Sequence, residues 1–360
     1  MRAARLHGPG DLRIETVPEP TPGPGEVVLS IAAALSCATD VKSVRRGHPS
    51  IASYPSPLGH EFAGVLEAVG PGVEHLRPGD ATFCANSAPC GECFQCRRGR
   101  ESLCEDLLYL LGGFGERLLV PERIVRMNLF LLPHGLDLRL APLAEPLACA
   151  LHALDAVDIS PGEAVAVVGG GSLGLMLCAL AATAGGLPIV VDPHDERLAH
   201  ALGFGAAETI RAERGPPDVA AVKALTAGRG APVVFEAVGR PDTWELAVAM
   251  ACPGGTVNLF GGCARGTTFA VRTERVHYDE VTLLGTYHHA PRYLVQALEL
   301  LAQGRWPWRE LCGPAIGLDE LADALAGRLG RHPKFTVVPS GAPGNVANVG
   351  GRTPSTRTAP

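Results

Sequence analysis

Cys90, Cys93, Cys96 and Cys104 fall in one short segment, CGECFQCRRGRESLC, spaced C-x2-C-x2-C-x7-C. Apart from its cysteines the segment is mostly glycine and charge, so burial cannot hold it together. Four thiolates around a tetrahedral Zn²⁺ would supply the missing energy, about 10–16 kcal/mol in small zinc modules. Thiolates two residues apart reach one ion from a tight turn, which makes a structural zinc the expectation. The alternatives are an incidental cysteine cluster or an iron–sulfur site.

A second signal is Gly169-Gly170-Gly171-Ser172-Leu173-Gly174, a G-x-G-x-x-G directly after AVAVV and before LMLCALAA. Strand before and helix after is the context in which this spacing binds a dinucleotide. Gly169 makes the tight turn, Gly171 lets a pyrophosphate approach, and Gly174 lets helix pack on strand. The helix N-terminus, opening at Ser172 and Leu173, then faces the phosphates. Asp192 closes the next strand. There it would accept hydrogen bonds from the adenosine ribose hydroxyls and repel a 2′-phosphate, which favours NAD over NADP. Arg197 is assigned to the same cofactor site. A turn at a strand end is the plainer account of Asp192-Pro193.

Cys37 in LSCATD, His60 and Glu61 in LGHEFAG, and Glu145 in LAEPLAC are scattered along the chain. Singly, each has an ordinary explanation: a buried thiol, a hydrogen-bonded core histidine, an acidic residue at a helix start. Spacing alone leaves a shared metal site open.

The elements that must carry these residues follow from periodicity. Val27 to Ala34 and Phe62 to Val69 read as strands in a proline-punctuated, β-rich opening. After Pro142, strands at Ala164–Val168, Pro188–Val191, Val233–Ala237, Thr256–Phe260 and Val281–Leu284 alternate with helical stretches, as in a parallel sheet covered on both faces. Segments around Tyr293–Ala302 and Leu318–Leu329 read as amphipathic helices, and Lys334–Val338 as a short strand. Residues 340–360 are Gly, Pro, Thr, Ser and Asn without periodicity, and read as disordered.

Composition narrows the partners. The 360 residues are 46% hydrophobic with net charge -6, and the 31 Lys and Arg are dispersed, so a nucleic-acid partner is not expected. Lysine occurs only at positions 42, 223 and 334, which reads as coding bias more than physical need. The charge-free run from Ala164 to Val191 has the length of a membrane span, but its glycines cut it into strand, turn, helix and strand. No membrane partner is expected. The first residues carry charge and no apolar run, and the 11 cysteines are an odd count. Both favour a cytoplasmic address with metal binding over disulfides.

CATD, GHEFAG, the four-cysteine array, EPLAC and VVGGGSLGL, in this order, resemble the zinc-dependent medium-chain dehydrogenase/reductases, nearest in pattern to the sorbitol and threonine dehydrogenase branches. The likeness spans about residue 1 to Pro339. It implies an α/β fold: a GroES-like β-rich catalytic domain over 1–150 with a structural-zinc lobe at about 84–106, a Rossmann NAD-binding domain over 151–286, and a return segment over 287–339. It also implies that Cys37 and His60 ligate a catalytic zinc, with Glu61 or Glu145 completing the shell. Two zincs per chain, a small alcohol as substrate and a homodimer or homotetramer follow from the same likeness.

In such a site zinc raises the acidity of the alcohol, hydride passes to the nicotinamide, and Thr39 hydrogen-bonds the reacting oxygen to begin a proton relay. Binding both glutamates at once would leave the site negative, so Glu61 and Glu145 are expected to alternate. Ala38 replaces a common glycine, and Lys42 stands where relatives often have a histidine, leaving Lys42 or His48 as candidates for the relay. His288 and His289 are candidates for substrate binding or a subunit contact. The expected reaction is oxidation of a secondary hydroxyl of a polyol, sugar alcohol, cyclitol or amino-alcohol. The alternatives are reduction of a ketone or aldehyde in a biosynthetic pathway, or a non-catalytic zinc- and dinucleotide-binding protein.

Overall fold

The computed structural model describes residues 1–47, 51, 53–213, 215–330 and 332–339. His48 and the 340–360 tail therefore lie outside the described residues. The chain divides into two compact units, Met1–Ala148 together with the segment from Ala290 onward, and Cys149–His289.

The first unit is organised around β1 (Val27–Leu35), whose sequence VVLSIAAAL is almost wholly buried. The run is apolar on both faces because neighbours cover both, and the helix α1 (Ala38–Arg46) starts directly after it. Strand β2 (Glu61–Val69) pairs antiparallel with β1, Val27 facing Val69 and Leu35 facing Glu61. Strands β3 (Ala81–Cys84), β4 (Arg117–Val120) and β5 (Leu129–Leu131) extend the sheet, with β4 pairing with β1. Val27, Leu29, Ile31, Phe62, Leu66 and Phe114 lie in its core. A buried turn at Ala141–Leu143 leads into α2 (Ala144–Asp155), which carries Glu145 in its first turn.

The second unit holds six parallel strands: β6 (Ala164–Val168), β7 (Leu187–Asp192), β8 (Glu208–Arg211), β9 (Ala231–Glu236), β10 (Ala251–Leu259) and β11 (Thr282–Leu284). Their spatial order is β8-β7-β6-β9-β10-β11, the doubly wound arrangement in which ligands sit at the carboxyl ends of the strands on either side of the first. The helix after β6, α3 (Ser172–Thr183), is buried from Gly174 to Ala181, which accounts for its lack of a polar face. The charge-free run is thus strand, turn, helix and strand, and among the described residues no helix is long and apolar enough to cross a membrane.

The structure departs from the sequence expectation at strand β8 and at the helix expected after Leu318. Strand β8 was not anticipated, because ETIR is a polar edge strand with no alternating apolar signal. The helix expected over Leu318–Leu329 is only a 3-10 turn at Leu318–Glu320 and a short helix at Leu321–Leu325, since Gly327 takes a φ of 76° that ends it. The chain then returns to the first sheet: β12 (Ala315–Ile316) pairs parallel with β13 (Thr336–Val337), and β13 pairs antiparallel with β1, Thr336 facing Leu35.

Candidate active site and metal centres

Strand register brings the scattered residues together. Because Leu35 faces Glu61 on one side of β1 and Thr336 on the other, the residues just beyond Leu35 meet both His60 and Lys334. One donor atom from each of Cys37, His60 and Glu61 lies within 4.8 Å of the others. Glu145 is outside this trio, its Oε1 accepting a hydrogen bond from Asn86 Nδ2 at 3.2 Å.

Asp40 ties the trio to α1. Its Oδ2 accepts from the Cys37 backbone N–H at 2.8 Å, closing the first turn of the helix, and its Oδ1 lies 3.0 Å from His60 Nδ1. With Nδ1 donating to that carboxylate, Nε2 presents its lone pair to an ion, the arrangement that orients a metal-binding histidine. Burial would lower the pKa of His60, but Asp40 and Cys37 outweigh it and the net shift is well upward. A carboxyl and a thiol side chain beside a buried ring are donors of the kind that a cation takes. Burial likewise pushes Glu145 up to about 7, with Glu61 adding to the rise and His60 and Lys334 opposing it.

Lys334 was not anticipated as part of this site. Its Nζ donates to both oxygens of Glu61 at 2.6 Å, and the two side chains are 1% and 0% exposed. Burial works against the charged lysine, yet Glu61 and Cys37 hold its pKa above the ordinary value. The strand carrying it is fastened to the Cys37 loop: Phe335 N–H donates to Ser36 Oγ at 2.8 Å and Ser36 N–H to the Phe335 carbonyl at 3.0 Å. Asp40 was also missed, although an acidic residue three positions after a helix cap is a legible capping signal. Lys334 had a weaker one, a rare lysine leading into an apolar strand.

Thr39 sits in the first turn of α1, where its carbonyl accepts from Ser43 Oγ at 2.8 Å. Lys42 lies on the same helix. In the second unit His288 has a φ of 61°, its carbonyl lies 2.8 Å from His152 Nδ1, and its ring is 4.0 Å from that of His289, which is buried.

In the cysteine array the four sulfurs also lie within 4.8 Å of one another. Cys90 and Cys96 sulfurs are 4.0 Å apart and those of Cys93 and Cys104 are 3.9 Å apart. A tetrahedron with Zn–S near 2.3 Å has edges of roughly 3.8 Å, so the donor set fits that ion. Backbone N–H groups of Cys96 and Glu105 point at Cys93 and lower its pKa to about 6, whereas burial and the Cys93 neighbour push Cys96 up to about 12. Without a cation, four adjacent thiols cannot all ionise. Arg98 covers the exposed Phe94 ring at 5.0 Å, and Arg292 reaches Glu101 at 3.0 Å.

At the glycine motif, Gly169 has a φ of 102°, and a Cβ on Gly174 would stand 1.7 Å from the Gly169 carbonyl oxygen. Those two glycines are demanded by the fold itself. Gly171 is different: a Cβ there would meet nothing within 4 Å. It caps α3, a helix of 12 residues with no side-chain cap, beginning at Ser172 and Leu173. Open space before uncapped N–H groups fits a phosphate. Alongside is a cavity of about 210 Å³ lined by Gly169, Asp192, His194, Arg197, Arg240 and Thr243, among others. The Asp192 carboxylate is fixed there by the N–H groups of Gly170 at 2.8 Å and His194 at 2.9 Å, with Arg197 Nη1 at 3.2 Å.

A sheet of the doubly wound order with an anion-ready glycine turn, joined to a β unit that carries clustered thiolate, imidazole and carboxylate donors, defines a metal-using dinucleotide enzyme. Comparison with known proteins makes this narrower. The family described as Alcohol dehydrogenase GroES-like domain matches residues 23–129, and that described as Zinc-binding dehydrogenase matches residues 172–303. Sorbitol dehydrogenase of Bacillus subtilis is 29% identical over 333 residues, 90% of this chain and 92% of the relative. L-threonine 3-dehydrogenase of Bacillus licheniformis is 33% identical over 265 residues, 71% of this chain and 75% of the relative. A solved zinc-binding dehydrogenase from Sinorhizobium meliloti 1021 bound to NADP superposes with a TM-score of 0.85 at 30% identity, covering 94% of this chain and 99% of that one. The chain belongs to the zinc-dependent medium-chain alcohol dehydrogenase family, with its GroES-like and Rossmann-type folds, and is an oxidoreductase acting on alcohols.

Proposed function

We propose that this protein oxidises a secondary hydroxyl of a polyol, sugar alcohol, cyclitol or amino-alcohol, with NAD⁺ as hydride acceptor. The observation that carries the reading is the convergence of Cys37, His60 and Glu61 at one end of β1, donors within 4.8 Å. Cys37 and His60 would hold a catalytic zinc, with Glu61 and Glu145 competing for the remaining protein position, and Cys90, Cys93, Cys96 and Cys104 would hold a structural one. The catalytic zinc, when bound, would raise the acidity of the alcohol.

The chain's own residues do the rest. Asp40 orients the imidazole through Nδ1, Thr39 would accept or pass the hydroxyl proton, and Gly171 with the Ser172 and Leu173 N–H groups would seat the pyrophosphate on the turn that Gly169 and Gly174 make possible. Asp192, which lines the cavity beside this turn, would disfavour a 2′-phosphate, and Arg197 lines the same cavity. The domain limits expected from the family, 1–150, 151–286 and 287–339, belong to this proposal, as does a homodimer or homotetramer. A cytoplasmic address belongs to this proposal too.

The test is NAD⁺- and NADP⁺-dependent absorbance change across polyols, cyclitols, amino-alcohols and simple alcohols, repeated with Asp192→Ala. Turnover with NAD⁺ on a secondary alcohol, and a fall in NAD⁺ preference in the variant, is the expected result. Preference for NADP⁺, as bound by the Sinorhizobium relative, would refute the cofactor assignment. Silence on every alcohol would refute the substrate class.

A further inference from the structure

Lys334 is given no part in the proposed ligation or hydride transfer, yet it occupies an expensive position. A fully buried ion pair costs more to desolvate than its attraction usually returns, and apolar residues of similar size would hold the strand as well or better. What the pair does accomplish is electrostatic. Both Glu61 oxygens face Nζ at 2.6 Å, while one Glu61 oxygen also lies within 4.8 Å of the Cys37 sulfur and a His60 ring nitrogen. Cys37 and Glu145 are the other charges that act on the lysine. Lys334 Nζ and a zinc held by Cys37 and His60 would therefore compete for one carboxylate.

We propose that Lys334 is a positioning residue that keeps Glu61 as its own counter-ion and so withholds it from the zinc. The inference rests on the proposed zinc site at Cys37 and His60. A zinc with the Cys37 thiolate and both the Glu61 and Glu145 carboxylates sums to one negative charge; the lysine restores neutrality. With Glu61 withheld, the zinc has a weaker anionic shell and remains electron-poor enough to polarise an alcohol. Glu145 is left as the carboxylate that can complete the shell. Loss of the lysine would hand Glu61 to the metal, binding it more tightly and making it a poorer Lewis acid.

Zinc release from the purified full chain into excess chelator, followed with a metallochromic dye, tests this. The release phase absent from Cys37→Ser belongs to this site. Lys334→Met is expected to slow that phase about tenfold, since an ion-sized charge a few ångströms away is worth at least that factor, and Lys334→Arg is expected to leave it unchanged. A merely structural lysine would give the opposite sign, because a loosened site lets its metal go faster. Faster or unchanged release in Lys334→Met overturns the proposal.

The double variant Glu61→Gln/Lys334→Met carries no unpaired buried charge and is the companion test. If Glu61 is withheld in the native protein, the double variant releases zinc at the native rate; release tenfold faster means Glu61 was a full ligand and overturns the proposal. If the native protein has no phase that Cys37→Ser removes, the zinc site itself is refuted, a result distinct from a site that is present but indifferent to Lys334.

Discussion

The two donor clusters of the first unit are built in opposite ways. The cysteine lobe takes all four sulfurs from one segment, closes with two short 3-10 turns at Cys96–Arg98 and Glu101–Leu103, and leaves three of its four cysteines partly exposed. The Cys37 cluster takes its members from a strand end, a strand start and a returning strand near the other end of the chain, and His60, Glu61, Asp40 and Lys334 are all buried. In the lobe a bound metal would have to make the geometry, since little else does. In the Cys37 cluster the sheet makes the geometry and the metal would find it ready. Local spacing thus marks a site that depends on its ion for shape, and strand register marks one that depends on its ion only for chemistry.

The sharpest break between them is catalytic. His60→Ala should cut alcohol turnover by about 10³-fold or more, several kcal/mol of lost charge stabilisation, with an unchanged far-ultraviolet circular dichroism spectrum. Cys93→Ser should do the reverse. The lobe loses its cross-link, the Cys90–Cys104 segment becomes a site of limited proteolysis, and the melting temperature falls by about 5 °C or more. A lobe that stays protected in Cys93→Ser would mean that contacts such as Arg292 with Glu101, and not the thiolates, hold it.

Asp40→Asn probes how far the preformed site depends on its support. Because Asp40 serves both the Cys37 N–H and His60 Nδ1, zinc affinity in chelator competition should weaken by about 10–100-fold, with the lobe's zinc unaffected. The smallest effect is expected in the second unit. Gly171→Ala meets no protein atom within 4 Å, so the melting temperature should hold while the dinucleotide Kd, by titration of intrinsic fluorescence, rises about tenfold through loss of close phosphate approach. Gly174→Ala, which would collide with the Gly169 carbonyl, should instead lower stability itself.

The same contrast explains what could be read from the sequence. The four-cysteine array and the glycine turn are contiguous, so their chemistry is visible in the letters, and β6 begins and ends at the residues the valine run suggests. Strand β8 escaped because an edge strand with polar faces has no apolar period. Cys37, His60 and Glu61 could be named but not joined, because their proximity is a product of the Leu35–Glu61 register. Lys334 was read as coding bias because its partner is 273 positions away. Only the Thr336–Leu35 pairing reveals that it lies beside the same strand end.

The proposed function requires two zincs of different kinds, one for shape and one for chemistry. Zinc per chain, measured by plasma emission on the native protein, Cys37→Ser and Cys93→Ser with NAD⁺-dependent turnover recorded on the same samples, tests it most directly. The expected counts are two, one and one, with Cys37→Ser folded and inactive and Cys93→Ser less stable. A native protein with one zinc that Cys37→Ser retains and Cys93→Ser loses would contradict it.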